Sequence, residues 1–175
     1  APDLASIALK DIERVEIIQG SAGALYGEQS SGGVVNIITR EAGKELSGFV
    51  EASAGTDSYE NYQAAVSQAF DNGLHFRASA EYEEADNYRD NNESEYTNYL
   101  INGGYKTERF SVFAEYQYID DDLRLPGSLN SEAIRDDRKQ TFSPDDFSDR
   151  DTDVYVGGGS IKLTDNWELL GEYTR

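Results

Sequence analysis

Ile12-Glu-Arg-Val-Glu-Ile-Ile-Gln-Gly20 is followed by Ser21-Ala-Gly-Ala-Leu25-Tyr26-Gly27 and then by Gly32-Gly-Val-Val-Asn36-Ile-Ile-Thr-Arg40. Val15–Ile18 and Val34–Thr39 are short, mostly apolar runs rich in β-branched residues, which reads as two strands. Ser21–Leu25 between them suits a turn of helix. Gly20, Gly23, Gly27, Gly32 and Gly33 punctuate the stretch, as tight turns and close backbone approach require. Residues 1–45 therefore read as a small α/β segment.

From Leu46 onward the hydrophobic period becomes two. Leu74, Phe76, Ala78, Ala80 and Tyr82 fall on one face, with His75, Arg77, Ser79, Glu81 and Glu83 on the other. Phe110, Val112, Ala114, Tyr116 and Tyr118 repeat the split, as do Trp167, Leu169, Gly171 and Tyr173 against Glu168, Leu170, Glu172 and Thr174. Successive strand side chains point to opposite faces, so this alternation predicts strands. Seven are expected, at about 46–55, 59–70, 74–86, 95–106, 109–119, 153–163 and 166–175. Asp71-Asn72-Gly73, Lys106-Thr107-Glu108 and Thr164-Asp165-Asn166 are tight hairpin turns. Longer connections at 87–94 and 120–152 lie between them. Short turns on one side and long loops on the other match the periplasmic and extracellular ends of an outer-membrane barrel. Phe70, Leu74, Tyr105, Phe110 and Trp167 sit beside the short turns; Tyr82, Tyr96, Tyr99, Tyr116, Tyr118, Tyr155 and Tyr173 sit toward the long loops. These read as two aromatic belts around a bilayer-facing band.

The bulk numbers are compatible. The 175 residues carry a formal net charge of -19, which argues against nucleic-acid and anionic-lipid partners. No run approaches the roughly 20 apolar residues of a transmembrane helix, but a barrel strand needs only about 9–11, every second one apolar. There is no Cys, hence no disulfide and no thiolate metal site. Neither Met nor a signal peptide is present, and the chain is expected to be processed or truncated. Gly20-x-x-Gly23 and Gly157-Gly158-Gly159 lack the context of a phosphate loop, and His75 is the single histidine, so no enzyme is read from the sequence.

Ile12-Glu-Arg-Val-Glu, Leu25-Tyr26-Gly27 and Gly32-Gly-Val-Val-Asn-Ile-Ile-Thr39 together resemble the C-terminal part of the plug domain of TonB-dependent outer-membrane transporters. The chain departs from the family pattern at Ser21, where Pro is common. The resemblance is close over about the first 40 residues and extends to the rest in pattern. It implies a mainly β fold: the end of an α/β plug over 1–45, then antiparallel strands of a transmembrane β-barrel over 46–175, about seven of about 22 strands. Seven strands do not close around a plug, and strand edges open to lipid cannot be satisfied. The segment alone is therefore expected not to be a stable functional unit.

The resemblance also implies sites and partners. Tyr26, Glu28, Gln29, Ser30 and Ser31 would lie at the plug apex and touch the ligand, an aromatic anchor with convergent polar groups. Arg14 and Glu16 would meet the barrel wall; the alternative is that they pair along a surface strand. The implied activity is uptake of a scarce metal chelate, a ferric siderophore or cobalamin, across the outer membrane of a Gram-negative bacterium. TonB with ExbB and ExbD would drive it from the periplasm. Gly55-Thr-Asp-Ser-Tyr59-Glu-Asn-Tyr62 resembles the vitamin B12 receptor branch, while Leu125-Pro126-Gly127-Ser-Leu129 and Asp137-Arg138-Lys139-Gln140 resemble loop elements of the superfamily. Among the loop carboxylates, Asp90, Glu93, Asp120 and Asp122 are candidate Ca²⁺ ligands, weighed against a solvated acidic face. The rival readings are a soluble or surface-exposed β-sandwich adhesion module, and a receptor that mainly signals.

Overall fold

The computed structural model describes residues 12–20, 32–39 and 41–175. The chain divides into two compact units, Ala1–Glu41 and Ala42–Arg175.

In the first unit, β1 (Ile12–Gln19) and β2 (Gly33–Thr39) form a two-stranded antiparallel sheet. Ile17 pairs with Val35 and Ile18 with Val34, with a register shift between Ile12 and Arg14. The two apolar runs of the sequence thus pair with each other. The expected turn of helix at Ser21–Leu25 lies outside the described residues.

The second unit is one antiparallel meander of seven strands in chain order: β3 (Ser47–Ala54), β4 (Glu60–Ala69), β5 (Leu74–Ala85), β6 (Ser94–Lys106), β7 (Phe110–Arg124), β8 (Phe147–Thr164) and β9 (Trp167–Thr174). The expected short turns connect them. In the first, Gly73 adopts φ +93°, which L side chains rarely take, and Asn72 Oδ1 accepts from the Leu74 amide at 3.1 Å. The β3–β4 connection is also tight. Asp57 and Ser58 both have φ 55°, and the Tyr59 amide donates to the Thr56 carbonyl at 3.2 Å. Two consecutive positive φ values match the twist of the flanking strands.

The expected 120–152 connection is shorter than the sequence suggested. β7 and β8 stay paired past the tyrosines, through Asp120↔Asp151 and Asp122↔Asp149 to Arg124↔Phe147. Acidic residues at these positions do not break the ladder, because backbone pairing and solvent-facing carboxylates are compatible at a wet strand end. The remaining loop, 125–146, carries a short helix, α1 (Ser131–Asp136). Asn130 caps it, its Oδ1 accepting from the Glu132 and Ala133 amides at 3.1 and 2.8 Å.

Register sorts the side chains of this sheet into two faces. One carries Val50, Ala64, Val66, Ala78, Ile101, Val112, Ala114, Ile161 and Leu169. The other carries Asn61, Gln63, Arg77, Glu81, Glu83, Asn98, Asn102, Glu115 and Gln117. The apolar face has no cover: Val50 is 87% and Ile101 61% exposed. On the polar face, by contrast, Asn61 and Asn98 are only 3% and 4% exposed. An apolar face this extensive needs an apolar solvent, whereas a polar wall tolerates water. The apolar face is the bilayer side and the polar face the lumen. The seven strands form one layer, so this unit is no two-sheet sandwich. Among the described residues no helix is long and apolar enough to cross a membrane.

Candidate functional site

Tyr62, Tyr82, Tyr99, Tyr116, Tyr118, Tyr155 and Tyr173 share the apolar face toward the long loops. Tyr96 does not join them. It pairs with Glu83 on the polar face, where its hydroxyl accepts from Asn98 Nδ2 at 3.0 Å. It lies three positions before Tyr99, and an odd offset reverses the face. Tyr62, missed in the sequence belt, stands directly opposite Tyr82. Four of these phenols donate to a carboxylate: Tyr62 to Glu60 and Tyr82 to Glu84, both at 2.9 Å, and Tyr116 to Asp153 and Tyr118 to Asp151, both at 2.7 Å. Tyr99 stacks on Tyr118 and Tyr116 leans on Tyr155, with ring centroids 6.4 and 5.1 Å apart. The apolar band therefore ends in a row of tyrosines, six of them held by a carboxylate or a neighbouring ring.

The polar face carries hydrogen-bonded side-chain rows. Glu81 accepts from Asn61 and Gln63 at 3.1 and 2.7 Å, and Glu83 accepts from Asn61 and Tyr59 at 3.0 Å each. Partial desolvation, then the bond to Glu83, pushes the Tyr59 phenol up from its ordinary range, so it stays a donor at neutral pH. Further along, Gln117 donates to Asn98 at 3.1 Å and Asn102 to Glu115 at 3.0 Å. His75 packs against Gly104, where a Cβ would lie 2.6 Å from the imidazole Cε1 and 2.5 Å from the Val112 carbonyl oxygen. These fixed donors and acceptors can hold a hydrated, polar ligand.

Above both faces the three loop-side connections touch. The Asp86 amide donates to the Asp57 carbonyl at 2.9 Å and Ser58 Oγ to Asp86 Oδ2 at 2.5 Å. Arg89 and Asn91 of the β5–β6 connection reach the β7–β8 loop. There Gly127 takes φ +67° in a stretch, 125–130, that forms no hydrogen-bonded turn. A shallow cleft of about 150 Å³ at this end is lined by Glu84, Asp86, Glu93, Glu95, Asp122 and Arg124 among others.

The expected site residues fall out unevenly. Tyr26, Glu28, Gln29, Ser30 and Ser31 lie outside the described residues. Arg14 and Glu16 are on β1, where Arg14 Nε donates to Glu16 Oε1 at 2.9 Å and Nη1 to Glu13 Oε1 at 3.0 Å. Of the four candidate calcium ligands, Glu93 and Asp122 line the cleft, while Asp90 and Asp120 do not. No group of three or more acidic or histidine side chains converges on a metal position among the described residues. Arg89 and Asn91 were not singled out by sequence. Asn87 and Asn91, of a residue type that tolerates the positive φ both adopt, are the one local signal, but the partners lie in a separate connection.

Residues 1–34 match the model of the TonB-dependent receptor plug domain. The chain is thus similar to a fragment of the TonB-dependent receptors. It is 32% identical over 105 residues, 60% of its length, to the vitamin B12 transporter BtuB of Vibrio vulnificus, and spans 16% of that protein. It is 46% identical over 57 residues, 33% of its length and 9% of the relative's, to BtuB of Photobacterium profundum. It thus covers a small part of the curated relatives it matches. Among solved structures, the unliganded ferric citrate transporter FecA superposes with a TM-score of 0.79 at 20% identity, over 97% of this chain and 27% of that one. The siderophore receptor PiuA of Acinetobacter baumannii gives 0.78 at 20% identity, over 95% and 26%. These likenesses show the receptor fold. The β3–β9 sheet has the fold of a stretch of receptor barrel wall.

Proposed function

We propose that the complete receptor takes up a scarce metal chelate across the outer membrane, either a cobalamin-type corrinoid or a ferric siderophore. The observation that carries this is the two-faced wall: an uncovered apolar face ending in tyrosines, backed by an ordered polar face. Such a wall encloses an aqueous path through lipid. The sequence likeness to vitamin B12 transporters favours the corrinoid.

The ligand enters between the loops and the plug, where Tyr26, Glu28, Gln29, Ser30 and Ser31 supply the apex contacts. Arg14 and Glu16 hold the plug to the wall. TonB, energised through ExbB and ExbD, releases the plug from the periplasmic side. The test is retention of labelled cyanocobalamin and of several ferric siderophores by outer-membrane vesicles carrying the complete receptor, followed by uptake in cells with and without TonB. Retention of one chelate class with TonB-dependent uptake supports the proposal. Retention of none, or uptake that persists without TonB, refutes it.

A further inference from the structure

Three connections crown the loop end of the barrel wall, and two side chains join the second of them to the third. Arg89 Nη1 donates to the Gly127 carbonyl at 2.6 Å, and its Nη2 donates to those of Pro126 and Gln140 at 3.1 and 2.9 Å. The planar guanidinium fork is suited to such multiple, directed donation. Asn91 sits at φ 53°, a left-handed conformation that Asn tolerates better than most residues. Its Nδ2 lies 2.6 Å from the Ser143 carbonyl, 3.0 Å from that of Asp146 and 3.3 Å from that of Leu125. Two hydrogens are shared among three acceptors, so these are partly bifurcated bonds.

Backbone bonds reinforce the junction. The Asp90 amide donates to the Lys139 carbonyl and the Arg124 amide to that of Glu93, both at 2.8 Å. Lys139 Nζ lies 5.4 Å from the centre of the Tyr88 ring. On the other side, Asp86 ties the same β5–β6 connection to Asp57 and Ser58.

Calcium could knit acidic loops together, but it requires 6–8 oxygen ligands around one point. Among the described residues the carboxylates do not converge in that way. The loop carbonyls that would complete such a shell, those of Leu125, Pro126, Gly127, Gln140, Ser143 and Asp146, already accept from Arg89 and Asn91. The organic cation and the carboxamide stand where a metal would be needed.

We propose that Arg89 and Asn91 are positioning residues that fasten the β7–β8 loop onto the β5–β6 connection, which Asp86 ties to the β3–β4 connection, giving one body whose order does not depend on a metal ion. This body presents a preformed rim, with α1 held on it, to the incoming ligand. Only that last consequence rests on the uptake reading. The order of the loops can be measured without ligand, so the two stand or fall separately.

The test uses the complete receptor in membranes, with paired spin labels at Glu132→Cys in α1 and Glu108→Cys in the β6–β7 turn. This stretch contains no native cysteine. The wild-type distance distribution is expected to be single and narrow, both with calcium and after chelation. Arg89→Ala with Asn91→Ala is expected to widen it at least about twofold while heat-modifiable migration of the barrel persists, as local opening without global unfolding would. Arg89→Lys keeps the charge but not the fork, and is expected to widen it too. If the double variant does not assemble, Arg89→Lys and Asn91→Asp carry the test singly. A wild-type distribution that narrows only when calcium is added, or variants that keep the wild-type width, would overturn the proposal.

Discussion

Ile101 and Leu100 are neighbours on β6, yet register places them on opposite faces. Ile101 stands beside Ala78 and Tyr116 on the uncovered face, whereas Leu100 faces Ser79 and Gln117 on the polar one. Arginine at either position introduces the same charge and nearly the same volume. On the lipid face of a barrel it costs about 2–4 kcal/mol at the bilayer midplane and about 0–1 near the interfaces. Ile101 lies one same-face step from Tyr99 of the belt and further from Tyr105 near the short turns. The lower end of the midplane range therefore applies, about 2 kcal/mol, or roughly a thirtyfold shift in the folding equilibrium. Leu100→Arg loses some packing but keeps its guanidinium in a polar lumen, and less than about 1 kcal/mol is expected. The assay is reversible denaturant unfolding of the complete receptor in lipid vesicles, read by heat-modifiable migration. If Leu100→Arg proved as costly as Ile101→Arg, or more so, the assignment of faces would be wrong.

Two further outcomes follow from local geometry. Gly104→Val drives a side chain against the Val112 carbonyl oxygen as well as the His75 ring, and overpacking of this kind costs about 1–3 kcal/mol. Adding His75→Ala is expected to leave most of that loss in the unfolding midpoint, because the backbone oxygen does not retreat. Asp71 near the first short turn accepts from Lys44 Nζ at 2.8 Å, and this bond holds its carboxyl below the ordinary carboxylate range. A depressed folded-state pKa gives stability that is present above the unfolded value, about 3.9, and lost as pH falls through the folded value. Any difference between wild type and Asp71→Asn should therefore be seen at neutral pH and low salt. It should vanish in strong acid and in high salt, as expected for an exposed pair; a difference that grew toward low pH would contradict the assignment.

The strands and their turns were legible because the signals are local. Alternation over Leu74–Tyr82 or Phe110–Tyr118 is a property of contiguous residues, and Asp71-Asn72-Gly73 closes a hairpin by its own chemistry. The β1 and β2 strands announced themselves as apolar runs between glycines. What escaped depends on register or on distant partners. Tyr96 was grouped with Tyr99 by proximity, although parity sends it to the other face. The extension of β7 and β8 past Asp120 was hidden because charged residues imitate a loop when only one strand is read. The Arg89 junction required knowing that residues 125–146 fold back beside it, which no local pattern states. The plug apex was read from resemblance alone, and its residues lie outside the described part of the chain.

In the meander β3–β9 each inner strand is bonded to the strands immediately before and after it in the chain. No pairing waits for a segment made much later, so loop-closure entropy is met one hairpin at a time. A wall of this kind can assemble vectorially. Each arriving strand finds its partner already in place and becomes the new boundary, while the outer edge of β3 stays unpaired from the start. Until the circle is complete, those two edges are the vulnerable points. Whatever machinery inserts the protein has one fixed seam and one moving seam to guard.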